Sequence, residues 1–397
     1  MIARYVARRT RARAGLVTLL ALTVALIAGA LAGTPAYLAA ASLRAVGAAL
    51  AAAEPDSRYH QLTTRLADDA ATQSDGVAAL LEDVLPAPEV WHTVRSFPLR
   101  TDSDARLVLL ADPAIGDHAD VVDGAWPATP GETALHADAA TSLGVAVGDT
   151  LEVAVEDTAA RLTVVGTWRP TGHPHWAAEP LAASGTDPLE PDAHGPAVIL
   201  PETLEPLDLT PYVQWTISPG PGITPTDLAP WRAGIARLPD ALSDADLTHR
   251  GLVQSGDLAT TLADIDSGLA AVRVAALVPL LVVALLAVVV LWQLARLLAT
   301  VRERETLVAL SRGGSRGQLT AAGAIEALAV ALPGAALGAA AVHAATAGRG
   351  ADATTTWLLA AVAAAVAAAV LVTSAAHAAA TGLRPVGETG RAATVLA

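Results

Sequence analysis

Long apolar stretches divide the chain into membrane and non-membrane parts. A helix that crosses a bilayer needs about 20 mostly apolar residues, and four stretches meet this requirement. They cover residues 15–41, 274–295, 319–345 and 355–376. The second is the clearest, because it is rich in Leu and Val and is bounded by Arg273 and Arg296. The pattern predicts four transmembrane helices.

Residues 44–266, between the first two spans, have the pattern of a folded α+β domain. Strand composition or period-two alternation predicts strands at 57–67, 89–99, 105–112, 149–157, 160–168 and 211–218. Helical patterns cover 75–85 and 224–238. Strands and helices do not alternate regularly, which argues against a doubly wound sheet. Six prolines within 169–196 predict a long irregular loop there.

The segment that enters the second span has a heptad pattern. Its apolar residues are spaced 4, 3, 4 and 3 apart: Leu258, Leu262, Ile265, Leu269 and Val272. This seam predicts a stalk helix that continues into the span and packs against the alanine-rich extension of the first span. The alternative is a helix buried in the core of the domain.

Arginine placement predicts the orientation in the membrane. Five arginines precede the first span, five lie at 296–316, and two follow the fourth span. By the positive-inside rule, both termini and the 296–316 loop are cytoplasmic, and 44–266 is extracytoplasmic. We therefore expect a multi-pass protein of the cell membrane. A cleavable signal peptide is the alternative for the first span, although its apolar run is about twice the usual length.

Composition excludes several classes of chemistry. The 397 residues include no cysteine, which removes disulfides and thiolate metal sites, and no lysine, which removes a P-loop nucleotide site. Residues 44–266 hold 11 arginines against 34 acidic residues, so the basic residues flank apolar spans instead of forming a nucleic-acid-binding surface. We expect no cofactor, no metal, no nucleic-acid partner and no enzymatic activity in this chain.

The arginine-rich connector at 301–319, VRERETLVALSRGGSRGQL, predicts a structured loop. A helical pattern continues from the second span until Gly313 and Gly314 end it. Ser315 and Gln318 then form a capping-box pattern that opens the third span. On charge alone, this segment is only a solvated loop of the positive-inside kind.

The same connector resembles the signature segment of FtsX-like ABC-transporter permeases. The match continues through AAGAIEALAVALPGAALG, with Gly314 where these proteins usually have alanine. The matching residues are Arg302, Arg304, Glu305, Leu307, Leu310, Arg312, Gly313, Ser315, Arg316, Gln318, Leu319, Glu326, Ala327, Leu328, Pro333 and Gly334. LRPV at 383–386, after the last span, also fits the pattern.

The domain at 44–266 resembles the MacB-type periplasmic core domain. The resemblance lies in GAWPATPGETALHADAATSLGVAVGDTLEV and in VVGTWRP. The matching residues are Gly124, Trp126, Pro127, Pro130, Gly131, Glu132, Leu143, Gly144, Val147, Gly148, Asp149, Val165 and Gly166. The order of the segments, with one span, a large domain and three further spans, is also similar.

The resemblance implies a permease subunit that dimerises, with itself or with a related permease, and sits on two copies of a separate ATP-binding subunit. Coupling to that ATPase is implied for Arg302, Arg304, Glu305, Leu307, Leu310, Arg312, Ser315 and Arg316. The implied function is export or extrusion, and the alternative is a regulator that relays ATP hydrolysis to a cell-envelope enzyme without transport. Many members of that family are longer, with two such units in tandem, and this chain could correspond to one half of such an arrangement.

These features give an expected domain plan. It consists of 1–43 (cytoplasmic start and first span), 44–266 (extracytoplasmic domain), 267–298 (second span), 299–318 (coupling helix), 319–346 and 353–380 (third and fourth spans) and 381–397 (cytoplasmic tail). The expected fold is a four-helix membrane protein with a large extracytoplasmic α+β domain between helices one and two. The surrounding membrane lipid is an additional partner.

Other motifs carry less weight. GGSRG at 313–317 matches a nucleophile elbow, but a helix precedes the serine where that motif needs a strand. His173 and His175 lack an evident third metal ligand. Glu326 lies inside the third span, where we expect a hydrogen bond to a neighbouring helix. Two Gly-x-x-x-Gly patterns, at 29–33 and 334–338, are typical of close helix packing and are weak indications of dimer contacts.

Overall fold

A computed structural model gives the fold of the chain. It describes residues 14–155, 158–172, 176, 179–204, 207, 209–312, 315–347 and 353–381. The chain divides into two compact units, one formed by Ala45–Gly268 and one by the segments on either side of it. The first is an extramembrane domain and the second is the membrane unit, and each is described by itself below.

The described residues contain nine helices and eleven strands. In chain order they are α1 (Ala14–Ala52), β1 (His60–Arg65), α2 (Ala70–Val84), β2 (Pro88–Arg95), β3 (Leu99–Thr101), β4 (Arg106–Ala111), α3 (Ile115–His118), β5 (Ala119–Gly124), β6 (Glu132–His136), α4 (Ala137–Leu143), β7 (Thr150–Val155), β8 (Thr158–Pro170), α5 (Pro180–Ser184), β9 (Ala193–Val198), β10 (Tyr212–Pro219), α6 (Leu228–Asp244), β11 (His249–Ser255), α7 (Leu258–Ser311), α8 (Arg316–Thr346) and α9 (Ala353–Thr381). Short 3₁₀ turns occur at Pro55–Ser57 and Pro201–Thr203.

Four helices are long and apolar enough to cross a membrane, as the hydropathy pattern predicts. The candidate spans are Val17–Ala52, Leu258–Val301, Gly317–Thr346 and Ala353–Ser374, in α1, α7, α8 and α9. The predicted fold class is confirmed, because the α+β domain is inserted between the first of these helices and the other three. The second span is the least buried of the four.

Alanine dominates the contacts among the membrane helices. One buried cluster joins all four helices and consists of Val24, Ala28, Leu291, Ala331, Ala335, Ala339, Ala360, Ala363, Ala364, Ala367 and Ala368. A second cluster, which includes Leu20, Ala295, Val330 and Leu371, also draws on all four. Small side chains let helix backbones approach closely, and lipid-exposed bundles depend on such packing because lipid supplies no hydrophobic driving force between helices.

The two Gly-x-x-x-Gly patterns meet each other inside one chain. A Cβ atom on Gly338 would overlap the backbone oxygen of Ala25, and one on Gly334 would lie 2.6 Å from that of Ala21. Gly29 lies opposite Gly338, because a Cβ atom on Gly29 would lie 3.9 Å from the Gly338 Cα. The patterns therefore pack α1 against α8, and this contact accounts for them without a second copy of the chain.

Six strands of the extramembrane domain close into a ring. The pairings run β4–β3, β3–β7, β7–β8, β8–β6, β6–β9 and β9–β4, and the last of these, which is parallel, completes the circuit. β8 is 13 residues long, so it also pairs with β5. A closed sheet leaves no unpaired edge among its own strands.

The remaining strands form an antiparallel layer in the order β11-β1-β10-β2. β2 pairs with β4 through Val94 and Arg95, so this layer and the ring belong to one sheet. Helices α2 and α6 pack closely together beside it, since a Cβ on Gly234 would lie 2.7 Å from the Val84 backbone oxygen. The Trp231 indole also donates a hydrogen bond of 3.0 Å to the Pro86 carbonyl.

All six predicted strands and both predicted helices of this domain are present. The long irregular loop expected at 169–196 is wrong in part, because that stretch contains α5 and the start of β9. Pro180 occupies the first turn of α5, where a missing N–H costs nothing. β5, β6, β9 and β11 lie in segments for which the pattern predicted no strand.

Candidate functional site: the connector helix and a buried polar cluster

The arginine-rich connector is the end of one long helix and the start of the next. α7 continues to Ser311, and α8 begins at Arg316. The predicted capping box is present: the Ser315 hydroxyl accepts from the Gln318 N–H at 3.2 Å, and the Gln318 side chain accepts from the Ser315 N–H at 3.2 Å. This reciprocal pair satisfies two backbone donors at the helix start and fixes where α8 begins.

Most of the predicted coupling residues lie on this helical backbone. Arg302, Arg304, Glu305, Leu307 and Leu310 are helical, but their side chains are outside the described part of the structure. The same holds for the side chain of Arg316, and Gly313 and Gly314 are outside it entirely. The side chains of Arg312 and Ser315 are exposed. Contact with an ATPase through these residues stays a prediction.

The predicted stalk seam lies on α7, and its burial decreases along the helix. Leu258 and Leu262 are fully buried, Ile265 and Leu269 are half-buried, and Val272 is exposed. The first three turns of α7 belong to the extramembrane domain, because the compact unit extends to Gly268. Asp266 on these turns pairs with Arg232 of α6 at 3.5 Å. The beginning of α7 is therefore anchored in the domain.

Several residues that carry the resemblance to the periplasmic core domain have a local structural role. Gly124 has φ +74°, and a Cβ on Gly166 would lie 2.9 Å from the backbone nitrogen of Ala125, so neither position tolerates a side chain. The Glu132 carboxylate accepts from the Ala128 and Thr129 N–H groups at 2.7 and 2.9 Å. The two glycines allow close approach of β5 and β8, and Glu132 holds the turn before β6, so these residues of the motif shape the local backbone.

Buried charges form a cluster that the sequence analysis did not anticipate. Arg95, at the end of β2, is buried and forms a salt bridge with Glu179, just before α5. The Gln214 amide of β10 donates to the other oxygen of Glu179. Burial opposes the charged form of Arg95, but the adjacent Glu179 raises the pKa of the guanidinium. The guanidinium therefore stays charged inside the domain.

Asp112 extends this cluster at the end of β4. Its carboxylate accepts from the Trp91 indole at 2.9 Å and from the Ala114 N–H at 2.9 Å. Burial raises the pKa of Asp112 to about 6, although both hydrogen bonds and Arg95 favour the ionised form. Removal from water therefore outweighs these contacts, and this carboxyl changes protonation state near pH 6.

Tryptophans cover one side of the polar cluster. Trp91 packs edge-on against Trp176 with ring centroids 5.1 Å apart, and Trp168 lies 5.6 Å from Trp176. Trp126 and His136 flank Trp168 at 6.2 and 5.2 Å. This apolar enclosure excludes water from the charges, which is the physical cause of the raised Asp112 pKa.

The sequence contained a weak signal for the cluster. Arg95 sits inside a strand pattern at a position where alternation would place a core residue. Glu179 gave no such signal, because it lies in the proline-rich stretch. The predicted absence of a metal site stays untested. In the parts of the chain that are described, no three metal-ligating side chains come together, and His173 and His175 lie outside those parts.

Glu326 is buried in the membrane unit with 5 % of its surface exposed. Trp292 and Trp357 are each about half-exposed on the membrane helices. The Arg296 guanidinium lies over the Trp292 ring at 4.8 Å from the centroid, a cation–π contact typical of residues near a membrane interface.

Comparison with known proteins does not assign a family. No protein-family model matches the chain, and no curated protein has a similar sequence. The structural conclusion is that the chain is a multi-pass membrane protein with a large extramembrane α+β domain inserted after its first membrane helix.

Proposed function

We propose that this chain is the permease subunit of an ABC transporter and is driven by a separate ATPase subunit. In this proposal the connector at 299–318 binds the ATPase on the cytoplasmic side. Movement of the connector then acts on the extramembrane domain, which lies on the other side of the membrane. The family in this proposal comes from the sequence resemblance of the connector and the domain alone, and the features below support the mechanism.

The main support is the continuity of α7. This single helix of 54 residues contains three turns of the extramembrane domain, the second span and the start of the arginine-rich connector. An α-helix resists bending because its residues are held by backbone hydrogen bonds, and in α7 Pro279 interrupts this ladder at one position within the span. A displacement at the Ser311 end can therefore act along one helix, with no loop between the connector and the three turns in the domain.

The capping box gives further support at the cytoplasmic end. It begins α8 at a defined residue within the connector, so the described part of the connector consists of the end of one helix and the start of the next. The absence of lysine is consistent with an external energy source, since this chain has no residue for a P-loop of its own.

Packing of the membrane helices favours a second candidate, a regulator that transmits force without transport. The alanine-rich clusters bring the four helices of one chain into close contact. Their buried residues are nearly all apolar, which offers a polar substrate no favourable route between these helices. In this alternative, movement of the domain activates a cell-envelope enzyme.

A pair of matched substitutions tests the coupling proposal. Adjacent positions on a helix are rotated by about 100°, so Leu310→Asp and Ala309→Asp place the same charge on different faces of the connector. We expect Leu310→Asp to weaken co-purification with a candidate ABC-type ATPase subunit strongly, and Ala309→Asp to retain it. Adding Leu307→Asp to Leu310→Asp should abolish co-purification.

The outcome is informative only if the variants fold and the connector is cytoplasmic. Folding is checked by monodisperse elution in detergent. The side is checked with Ser311→Cys and Ala78→Cys, since the chain has no native cysteine to react. A membrane-impermeant maleimide should label only Ala78→Cys in intact cells. Labelling of both from outside, or unchanged co-purification of Leu310→Asp, contradicts the proposal.

A further inference from the structure

The extramembrane domain contains a cavity of about 570 Å³. Its floor is the sheet: His92 and Val94 lie two apart on β2 and so share a face, and Val94 is directly opposite Ala111 of β4. The Trp215 ring of β10 lies 5.8 Å from the His92 ring. The floor is therefore made of paired strands and does not depend on a loop.

One wall is the segment that joins β1 to α2. Three hydrogen bonds from the buried Gln73 side chain hold this segment: its amide nitrogen donates to the Arg65 and Leu247 carbonyls at 3.1 Å each, and its oxygen accepts from the Ala67 N–H at 2.9 Å. The Leu66 N–H donates to the Pro211 carbonyl at 3.0 Å. The wall is thus fixed before any ligand arrives.

A second wall adjoins the first at Pro211 and is mostly apolar in its described residues. It includes Pro201, Leu204, Leu207, Leu209 and Pro211, with Thr210 as the polar residue among those described and Pro113 beside the floor. Proline and leucine carry no side-chain hydrogen-bonding group, so this wall favours a hydrocarbon surface. Cavities of about 300–1,000 Å³ with mostly apolar walls and a few polar groups are typical of small-ligand sites.

The polar groups of the cavity favour an anion. Arg65 is half-buried and forms no ion pair with any carboxylate in the described segments. Burial lowers the pKa of His92, so this imidazole is neutral near pH 7 and can donate or accept one hydrogen bond. Asp68 also lines the cavity but is exposed. A half-buried guanidinium without a counter-ion is stabilised by a bound carboxylate.

We propose that this cavity binds a single-chain amphiphilic carboxylate, with the acyl chain against Leu204, Leu207 and Leu209 and the carboxylate at Arg65. The cavity has the volume of one drug-sized ligand, which fits one acyl chain and not a two-chain phospholipid. This inference does not depend on the ATPase proposal, because every residue in it lies within the extramembrane domain.

Photo-crosslinking tests the site on the full chain in phosphatidylcholine nanodiscs. The probe is dodecanoic acid that carries a diazirine in its chain, and labelled peptides are read by mass spectrometry. We expect saturable labelling of the segments that contain Leu204 and Ala71. Labelling of the membrane spans reports partition into lipid and is counted separately, so that it does not obscure the domain signal.

Two variants separate charge from shape. Arg65→Gln should weaken labelling of the cavity by dodecanoic acid about tenfold, since it removes a charge-assisted hydrogen bond, and should leave labelling by the matching dodecanol probe within about twofold. Ala71→Trp, at the exposed start of α2, should block both probes. Arg100→Gln and Ala78→Trp make the same changes at exposed positions away from the cavity and should have no effect.

The result that overturns the proposal is equally definite. If dodecanoic acid labels Arg65→Gln and Ala71→Trp as it labels the unchanged protein, the cavity does not hold the probe. If dodecanol binds as tightly as dodecanoic acid, Arg65 does not recognise an anion. Labelling confined to the membrane spans would likewise show that the cavity does not hold the probe. Unchanged thermal unfolding of each variant shows that altered labelling reflects the cavity and not misfolding.

Discussion

The two units of the molecule are packed by opposite means. The extramembrane domain buries large rings, and its cluster around Trp91, Trp168 and Trp176 fills space with side chains. The membrane unit buries alanines and glycines, so that its contacts are formed close to the helix backbones. In water, burying a large apolar side chain is itself stabilising. In lipid it is not, and close backbone approach has to supply the contact energy instead.

This difference predicts which substitutions each unit tolerates. A large-to-small change should be severe in the domain and mild in the membrane unit, and a small-to-large change should be severe at the glycine contact. The three experiments below use the full chain in lipid nanodiscs and are ordered by expected effect.

Trp168→Ala should have the largest effect. Trp168 is fully buried and contacts Trp126, Trp176 and His136, so truncation leaves a cavity. We expect a loss of about 3–5 kcal/mol in the unfolding free energy of the domain, measured by thermal or denaturant unfolding followed by near-UV circular dichroism. Trp357→Ala, at a half-exposed position on α9, is the matched control. Equal losses for the two variants would contradict the contrast between the units.

Gly338→Leu should come next. A Cβ at this position overlaps the Ala25 backbone oxygen, and backbone cannot move aside as a side chain can. We expect a loss of up to about 3 kcal/mol, seen as a lower temperature of aggregation and a smaller monodisperse peak. Gly317→Leu is the control in the same helix, because nothing lies within 4 Å of its Cβ. If Gly338→Leu behaves like Gly317→Leu, α1 and α8 are not in contact there.

Asp112→Asn should have a smaller effect that depends on pH. Because burial raises the folded-state pKa of Asp112 to about 6, above about 3.9 when unfolded, the folded protein binds more protons than the unfolded chain between these values. Its contribution is therefore fully present below about pH 4 and is lost as the pH rises through 6, by on the order of 2 kcal/mol.

The measurement compares the thermal unfolding of Asp112→Asn with that of the unchanged protein from about pH 4 to about pH 7.5. Relative to the unchanged protein, Asp112→Asn should become more stable as the pH rises, since its amide cannot ionise. Asp240→Asn, at an exposed position on α6, should follow the unchanged protein at every pH. A difference between Asp112→Asn and the unchanged protein that does not vary with pH would show that Asp112 does not titrate in this range.

The membrane unit and half of the domain could be predicted from sequence. Spans are defined by local composition, and strands such as β4 and β10 stand out as short runs of apolar and β-branched residues that are buried on both faces. The capping box at Ser315 was likewise predictable, since it depends on two residues three positions apart.

The elements that were missed depend on distant partners. β9 contains glycine and proline and has little strand character by itself, and its place is fixed by pairing with β4 and β6. The contact of Gly29 with Gly338 shows the same limit, because a small-residue pattern does not name its partner. Nor does the sequence bring Arg95, Asp112 and Glu179 together, since they lie on three separate elements and only the folded sheet places them side by side.

The strand ring also affects whether neighbouring copies of the protein in one membrane can pair through the edges of their sheets. Proteins confined to a surface meet at high local density and in similar orientations, so any free strand edge is a site for unwanted edge-to-edge pairing. Closure leaves β11 and β5 as the edges of the described sheet. The β11 edge is interrupted where its register with β1 shifts beside Gly251, at φ +110°, and such irregularity discourages a neighbouring strand from joining. The β5 edge also shifts register against β8 between Val121 and Asp123, so neither edge offers a regular ladder to a neighbouring domain.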